Sequence, residues 1–335
     1  MVNPFPFTSP FLPQPPLPRP DVQPFLDYLR QAAANGMPGI HQMPLVAARA
    51  SYVTMQQLAD LPPEPLAVIR DLACPGPAPN SAANAPIRLR LYDARPSRPP
   101  GPALVFYHGG GFVLGGLDSH HNVCTTIARS LDLPLIAVDY RLAPEHPFPA
   151  APDDAEAAAR WIAQSPTELG RTITGLVPIG DSAGGTLAIV VTQALMAQPA
   201  AVPVVAQVPI YPLTDEATDH ASMAAFGAGF LLQSDVLEWF VGSYRPPSGD
   251  PRAFPVHGRH DQMPPTVLVT AGLDPIRDSG RVYGAALVKA GSDVLFLERK
   301  GTIHGFIQVR KAIPSAQADT DAILSATRLV LDSLK

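Results

Sequence analysis

Gly180-Asp181-Ser182-Ala183-Gly184-Gly185 is the stretch on which the fold turns. It is a G-x-S-x-G motif, and its surroundings carry more weight than its letters. Before it runs Thr174-Gly175-Leu176-Val177-Pro178-Ile179, an apolar segment that reads as a short buried strand. After it, Thr186 to Met196 is rich in Leu, Ala, Ile and Val and reads as a buried helix. A strand, a tight glycine turn and a helix make a nucleophile elbow. The turn is sharp, so side chains at its glycines would collide with the neighbouring strand and helix. It holds the Ser182 hydroxyl at the carboxyl edge of a sheet. It also sets the Ala183 amide at a helix N-terminus, where developing negative charge is stabilised. The same letters occur as a glycine turn with an incidental serine. The two readings separate on whether the chain also supplies an oxyanion loop, a base and an acid in a workable order.

The loop is His108-Gly109-Gly110-Gly111-Phe112, directly after the apolar run Ala103-Leu104-Val105-Phe106-Tyr107. Three consecutive glycines let backbone amides approach a ligand closely, and beside an elbow they can aim two amides at a tetrahedral oxyanion. Gly110 and Gly111 are the expected donors, with Ala183 as the third. A phosphate cradle is the other use of such a loop, but no P-loop lysine follows. His108 reads as a loop organiser. Asp274, in Ala271-Gly272-Leu273-Asp274-Pro275, stands just past a strand tip and would orient and charge-stabilise a histidine. Asp278 is the rival for that role and the better candidate for a helix cap. His304, in Gly301-Thr302-Ile303-His304-Gly305-Phe306, lies past the last strand in a glycine-flanked loop and is the expected base. His120 and His121 fall at a helix start, His41 and His146 in loops, and His220, His257 and His260 in or beside a long insertion. None has a metal-ligand set near it in sequence, so no metal is expected, and a mechanism run by serine, histidine and aspartate needs no cofactor. The order serine, acid, histidine is that of the α/β-hydrolases.

Taken with Asp139-Tyr140-Arg141-Leu142-Ala143-Pro144-Glu145, Phe148-Pro149-Ala150-Ala151 and Asp274-Pro275-Ile276-Arg277-Asp278, these motifs resemble the hormone-sensitive-lipase-like family of α/β-hydrolases, in its GDSAG branch. The resemblance runs from about Leu66 to the C-terminus. His121 departs from it, standing where many relatives carry an acidic residue. The resemblance implies an α/β-hydrolase fold: an eight-stranded, mostly parallel sheet with helices on both faces, under a two-part helical cap. It implies hydrolysis of carboxylic esters, commonly with short to medium acyl chains. Members often dimerise by pairing their last strands, which makes a homodimer one expected assembly. Arg141, Glu145 and Asp153, in a proline-rich loop, read as ion-pairing residues of the sheet edge and site wall.

The alternation of elements supports the same architecture. Strand signals fall at Leu66 to Ala73, Ile87 to Tyr92, Ala103 to Tyr107, Leu135 to Val138, the pre-elbow segment, Val204 to Tyr211, Thr266 to Thr270 and Val294 to Leu297. Helical stretches at about Ser119 to Ser130, Pro152 to Ala163, Ser279 to Ala290 and Ala316 to Leu334 lie between and after them. This is the pattern of a mainly parallel sheet covered on both faces. Residues 1–64 read as a proline-rich segment plus one part of a helical cap, with Asp21 as N-cap of a helix through Leu29 and a second helix from Pro44 to Leu61. Phe5, Phe7 and Phe11 are candidates for packing on the body as part of a lid. Residues 65–212 and 265–335 form the catalytic core, and 213–264, with a helix at Gln233 to Tyr244, the cap insertion. Phe226, Phe230, Leu231 and Leu232 either line an acyl pocket or are cap core.

Composition narrows the partners. The chain has 335 residues, 46% hydrophobic and 16% charged, enough for a large core. A net charge of -5 argues against nucleic acid. Cys74 and Cys124 make no disulfide framework. The N-terminus lacks the continuous apolar core of a signal peptide, and no apolar run is long enough to span a bilayer. A cytoplasmic enzyme without a stable membrane anchor, acting on a small-molecule ester, is the expectation. An amidase or lactonase would use the same triad, because the difference lies in pocket shape and leaving-group contacts. A non-catalytic small-molecule binder on this fold is the reading from another class, and a membrane-associated lipase a further one.

Overall fold

Every side chain from Ala103 to Tyr107 is buried, as a strand requires when helices cover its sheet on both sides. The computed structural model describes residues 17–77 and 85–334. Phe5, Phe7 and Phe11 lie outside the described residues. The helices α1 (Val22–Ala34) and α2 (Leu45–Ala59) precede strands β1 (Val68–Cys74), β2 (Ile87–Asp93) and β3 (Gly101–Tyr107). Then come α3 (His121–Leu131), β4 (Leu135–Asp139), α4 (Ala150–Ala163), β5 (Ile173–Asp181), α5 (Ala183–Ala197) and β6 (Val208–Ile210). The chain ends with α6 (Ala221–Phe226), α7 (Ser234–Tyr244), β7 (Thr266–Leu273), α8 (Arg277–Lys289), β8 (Val294–Ile303) and α9 (Ser315–Ser333).

The strands form one eight-stranded sheet in the order β1-β2-β4-β3-β5-β6-β7-β8. β2 runs antiparallel to both β1 and β4, and the remaining pairs are parallel. Along β3 the two-residue period sorts the core. Leu104 and Phe106 face a cluster with Ile127 of α3 and Ile323 of α9. Ala103, Val105 and Tyr107 face another with Ile162 of α4 and Leu187 of α5. The chain steps from β3 outward to β4, then back past β3 to β5. The direction of winding therefore reverses between β3 and β5, and the crevice outside the carboxyl ends at such a reversal is where open α/β sheets bind ligands. The glycine loop leaves β3 there and the elbow leaves β5.

Several elements differ from their sequence signals. The ladder of β6 covers only Val208–Ile210. Outside it, Val204 bridges to Leu176 and Gln207 to Thr266, and the Tyr211 amide bonds the Val269 carbonyl at 2.7 Å. β8 continues past Leu297 to Ile303. Its charged residues are taken up on the spot, Glu298 by Arg281 and Arg299 by Asp319. Asp21 does stand before α1, but its carboxylate accepts hydrogen bonds from the Ser315 amide and hydroxyl at 2.7 and 3.1 Å, so it caps α9 instead. Residues 1–64 divide. Val22 and Leu26 of α1 are buried in the body's core, and Arg19 pairs with Asp319 at 2.6 Å, while α2 faces the crevice. α2 is fastened by its last turn. The Ala59 carbonyl accepts from the Lys311 and Ala312 amides, and Asp60 forms a buried pair with Arg310 at 2.6 Å. Cys74 and Cys124 are buried and unpaired.

Candidate active site

Ser182 stands between β5 and α5 with φ 55° and ψ −122°, a conformation that L residues rarely adopt and that persists only where the surroundings enforce it. The enforcement is packing. A Cβ on Gly184 would lie 1.9 Å from the Tyr107 carbonyl oxygen, so the first turn of α5 can approach β3 only with glycine there. The Ser182 amide is held by the Ile210 carbonyl at 2.9 Å. The hydroxyl is thereby lifted out of the sheet edge.

His304 follows the last residue of β8, and Asp274 the last residue of β7. His304 Nε2 lies 2.8 Å from Ser182 Oγ, and Nδ1 lies 2.7 Å from Asp274 Oδ2. Asp274 is fully buried and its other oxygen, Oδ1, accepts from the Ile276 amide at 3.0 Å. A carboxylate can only accept, so Nδ1 donates to it, and that tautomer leaves the Nε2 lone pair for the serine proton. The Tyr211 ring packs on the imidazole with centroids 4.6 Å apart. Asp278, the rival acid, is engaged elsewhere. It pairs with Arg277 and Arg281 and accepts from the Ser222 amide at 2.9 Å, capping α6.

The loop after β3 is fixed from below. The His108 ring stacks on Tyr140 with centroids 4.2 Å apart, its Nδ1 bonds the Gly109 carbonyl at 2.8 Å, and the Tyr140 hydroxyl donates to the His108 carbonyl at 2.6 Å. His108 is therefore the organiser its sequence position suggests. Burial, with His120 beside it, pulls its pKa down to about 4. The folded state thus holds it neutral while an unfolded imidazole, near 6.5, takes up a proton. The resulting stability is complete above about pH 6.5 and is lost as pH falls toward 4, up to about 3 kcal/mol. Urea unfolding at pH 7.5 and 4.5 should show this loss, and His108→Asn should reduce the difference between the two pH values.

Gly110 and Gly111 have φ of 115° and 61°, and with Ala183 they border one cavity together with Ser182 and His304. A Cβ on Gly111 would lie 2.2 Å from the Phe240 ring of α7. Gly111→Ala is expected to displace the loop and lower kcat by about a hundredfold or more, the scale of one lost oxyanion donor. The added substitution Phe240→Ala should return part of that loss, since it removes the collision but not the backbone strain. Steady-state kinetics of the three variants checks this.

The cavity is lined mostly by apolar carbon. Leu231 and Leu232 border it, whereas Phe226 and Phe230 do not. Phe226 is buried beneath the Arg277 guanidinium, 5.2 Å from its ring centroid, and Phe230 packs edge-on against it. Phe226 belongs to the body's core with Tyr211 and Phe306, and Phe230 packs against that core. Tyr52 and Met55 on α2 and Val236, Phe240 and Tyr244 on α7, which no motif singles out, also line it. The α7 residues recur at helical spacing, a signal legible in the sequence. Arg141 pairs with Asp154, Glu145 with Arg49 and Asp153 with Arg252, the ion-pairing roles expected of that loop. Among the described residues no three His, Cys, Asp or Glu side chains assemble as a metal-ligand set.

Residues 104–308 match the family model described as the alpha/beta hydrolase fold. The chain is 37% identical over 294 residues to the esterase LipI of Mycobacterium tuberculosis, covering 82% of this chain and 87% of that one. It is 36% identical to the ethyl acetate hydrolase of Pseudomonas putida, covering 71% and 77%. Among solved structures, an alpha/beta hydrolase enzyme from the metagenome of Lake Arreo, Spain, superposes with a TM-score of 0.86 at 32% identity, covering 94% of this chain and 99% of that one. The chain belongs to the α/β-hydrolase fold family, in its hormone-sensitive-lipase-like branch.

Proposed function

We propose that the protein is a serine carboxylesterase acting on esters with short to medium acyl chains, through Ser182, His304 and Asp274. The observation that carries this reading is the unbroken chain Ser182 Oγ, His304 Nε2 and Nδ1, Asp274 Oδ2 at 2.8 and 2.7 Å, opening into an apolar cavity. His304 accepts the Ser182 proton as Oγ attacks the ester carbonyl carbon. The carbonyl oxygen becomes an oxyanion facing the Gly110, Gly111 and Ala183 amides. Collapse breaks the bond to the alcohol oxygen, which takes the proton from His304. A water then repeats the sequence on the acyl-enzyme, releasing the acid and restoring the serine. Asp274 holds the imidazole in the required tautomer and stabilises its cation. Every step uses side chains and amides of this chain, so the reading includes no cofactor. The names borne by the relatives, esterase, ethyl acetate hydrolase and carboxylic ester hydrolase, support the ester class.

Hydrolysis of 4-nitrophenyl esters from acetate to dodecanoate tests this. Activity that peaks at short or medium chains is expected. A folded protein inactive on the whole series, or one most active on the longest chains, overturns the corresponding part.

The reading extends to organisation. Residues 1–64 contribute α2, and 213–264 contribute α6 and α7, as a cap over the core formed by 65–212 and 265–335. No helix among the described residues is long and apolar enough to cross a membrane, and residence in the cytoplasm fits two unpaired, buried thiols. The partner is a small ester, and the net charge of -5 disfavours nucleic acid. β8 is the last strand of the sheet, and Leu295 and Phe296 on it and Val282 and Val288 on α8 are exposed. An uncovered apolar edge strand invites pairing, and we place a homodimer there. Light scattering should give twice the chain mass, and Phe296→Lys should return the protein to a monomer.

A further inference from the structure

The structure assigns a positioning role to Asp181: its side chain locks the glycine loop to the nucleophile elbow and so keeps the oxyanion amides aimed. This inference rests on the serine-esterase reading above. The ladder between β3 and β5 ends at the pair Tyr107 and Gly180. Beyond it one strand leaves as the loop and the other as the elbow, and backbone pairing no longer fixes one against the other. The crosslink past the ladder is Asp181. Its Oδ1 accepts from the Gly109 amide at 3.0 Å. The approach is close enough that a Cβ on Gly109 would lie 2.5 Å from Asp181 Oδ2, which accounts for the first glycine of the loop. Gly109 precedes both proposed loop donors, so tilting its peptide re-aims Gly110 and Gly111.

Asp181 is 2% exposed, and a buried carboxylate needs partners. The His120 Nε2 atom lies 3.2 Å from both Asp181 Oδ1 and the Gly109 amide nitrogen. Ser119 Oγ holds the other ring nitrogen, Nδ1, at 2.8 Å. Gln308, in the loop that begins at His304, places its amide nitrogen against His120 Nε2 and accepts from the Tyr52 hydroxyl at 3.2 Å. Tyr211, which packs on His304, brings its hydroxyl to 3.5 Å from Asp181 Oδ2. Loop, elbow, histidine loop and α2 thus meet at one buried group. Neither Asp181 nor His120 receives a task in the proton transfers, and the position of both is accounted for by this lock. A charge-assisted bond to a backbone amide is roughly twice as strong as a neutral one, which suits a contact that must hold while charge builds on the substrate.

Asp181→Asn keeps the shape and an acceptor oxygen but not the charge, and Asp181→Ala removes the acceptor. The measurements are kcat, KM and the inhibition constant of an alkyl trifluoromethyl ketone, which forms a tetrahedral oxyanion adduct with the serine. We expect kcat to fall about tenfold in the Asn variant and about a hundredfold in the Ala variant, the scale of a donor misplaced by about an ångström. KM should stay within about threefold, and the ketone should weaken by the same factor as kcat/KM. Wild-type kcat and ketone affinity in the Ala variant overturns the proposal, as does a loss of kcat with ketone affinity unchanged. If the Ala variant does not fold, wild-type values in the Asn variant do the same. Fluorophosphonate labelling of Ser182 in the wild type separates this from the underlying reading: absence of label there removes the serine mechanism, whatever the Asp181 variants do.

Discussion

Ser182→Ala is expected to lower kcat on a good ester by about a millionfold, with KM changed by no more than a few-fold. Loss of a catalytic serine costs about as much as loss of the whole triad, because the three groups act as one unit. The residue does not carry the fold. The elbow geometry is imposed by the approach of α5 to β3 and by the bond from the Ser182 amide to the Ile210 carbonyl at 2.9 Å, and alanine keeps both. Its Cβ meets the same backbone conformation, so the strain at φ 55° is unchanged. The apolar cavity beside Ser182 also persists, which is why KM should hold. What remains is the acceleration from oxyanion amides and substrate binding, about a thousandfold or more over water. Steady-state kinetics with a thermal melt on the same sample checks the claim. A variant with an unchanged melt and a kcat within tenfold of wild type removes Ser182 from the mechanism.

Asp274→Asn is the second large effect, expected at about ten-thousandfold in kcat near neutral pH. The reason is the tautomer. Oδ1 of Asp274 serves the Ile276 amide at 3.0 Å and Oδ2 serves His304 Nδ1 at 2.7 Å. In the Asn variant the amide oxygen stays with Ile276, since a buried N–H left unpaired costs about 1–3 kcal/mol. The NH2 group therefore faces the imidazole. Nδ1 must then accept, Nε2 carries the hydrogen, and the base has no lone pair for Ser182. Geometry is preserved and function is lost. The melt should move little and the kcat a great deal. Asp274→Ala would lose both bonds and the melt as well, so the Asn variant is the cleaner test. Asp278→Asn, by contrast, should act through α6 and leave the kcat within a few-fold of wild type.

The motif residues were legible because catalysis of this kind demands local sequence features: glycines where a Cβ would strike backbone, and an acid and a histidine at strand tips. The strands were legible where both faces are buried, as at Ala103 to Tyr107. Legibility failed in three physical circumstances. The ladder of β6 covers only Val208–Ile210, a shortening that apolar content alone does not reveal. Ion pairs with distant residues extended β8 through Glu298 and Arg299, and the partner Asp319 of Arg299 lies on another helix. The pocket is half legible: Leu231 and Leu232 line it, but Phe226 buries against a cation and an aromatic partner. The buried network at Asp181 leaves no signal in the sequence. In sequence His120 is one of a pair at a helix start, and its contact with Gln308 spans 188 residues of chain. Likewise Asp21 carries the letters of a cap for the helix beside it and caps one whose first residue, Ser315, is 294 residues away.

The central claim is that Ser182 is acylated during turnover. Its most direct test is reaction with a fluorophosphonate, followed by intact mass and peptide mapping. The account predicts one adduct per chain, on the peptide containing Ser182, forming in step with loss of esterase activity and absent from Ser182→Ala. Full inactivation with the adduct on another residue, or full activity with Ser182 labelled, would contradict it.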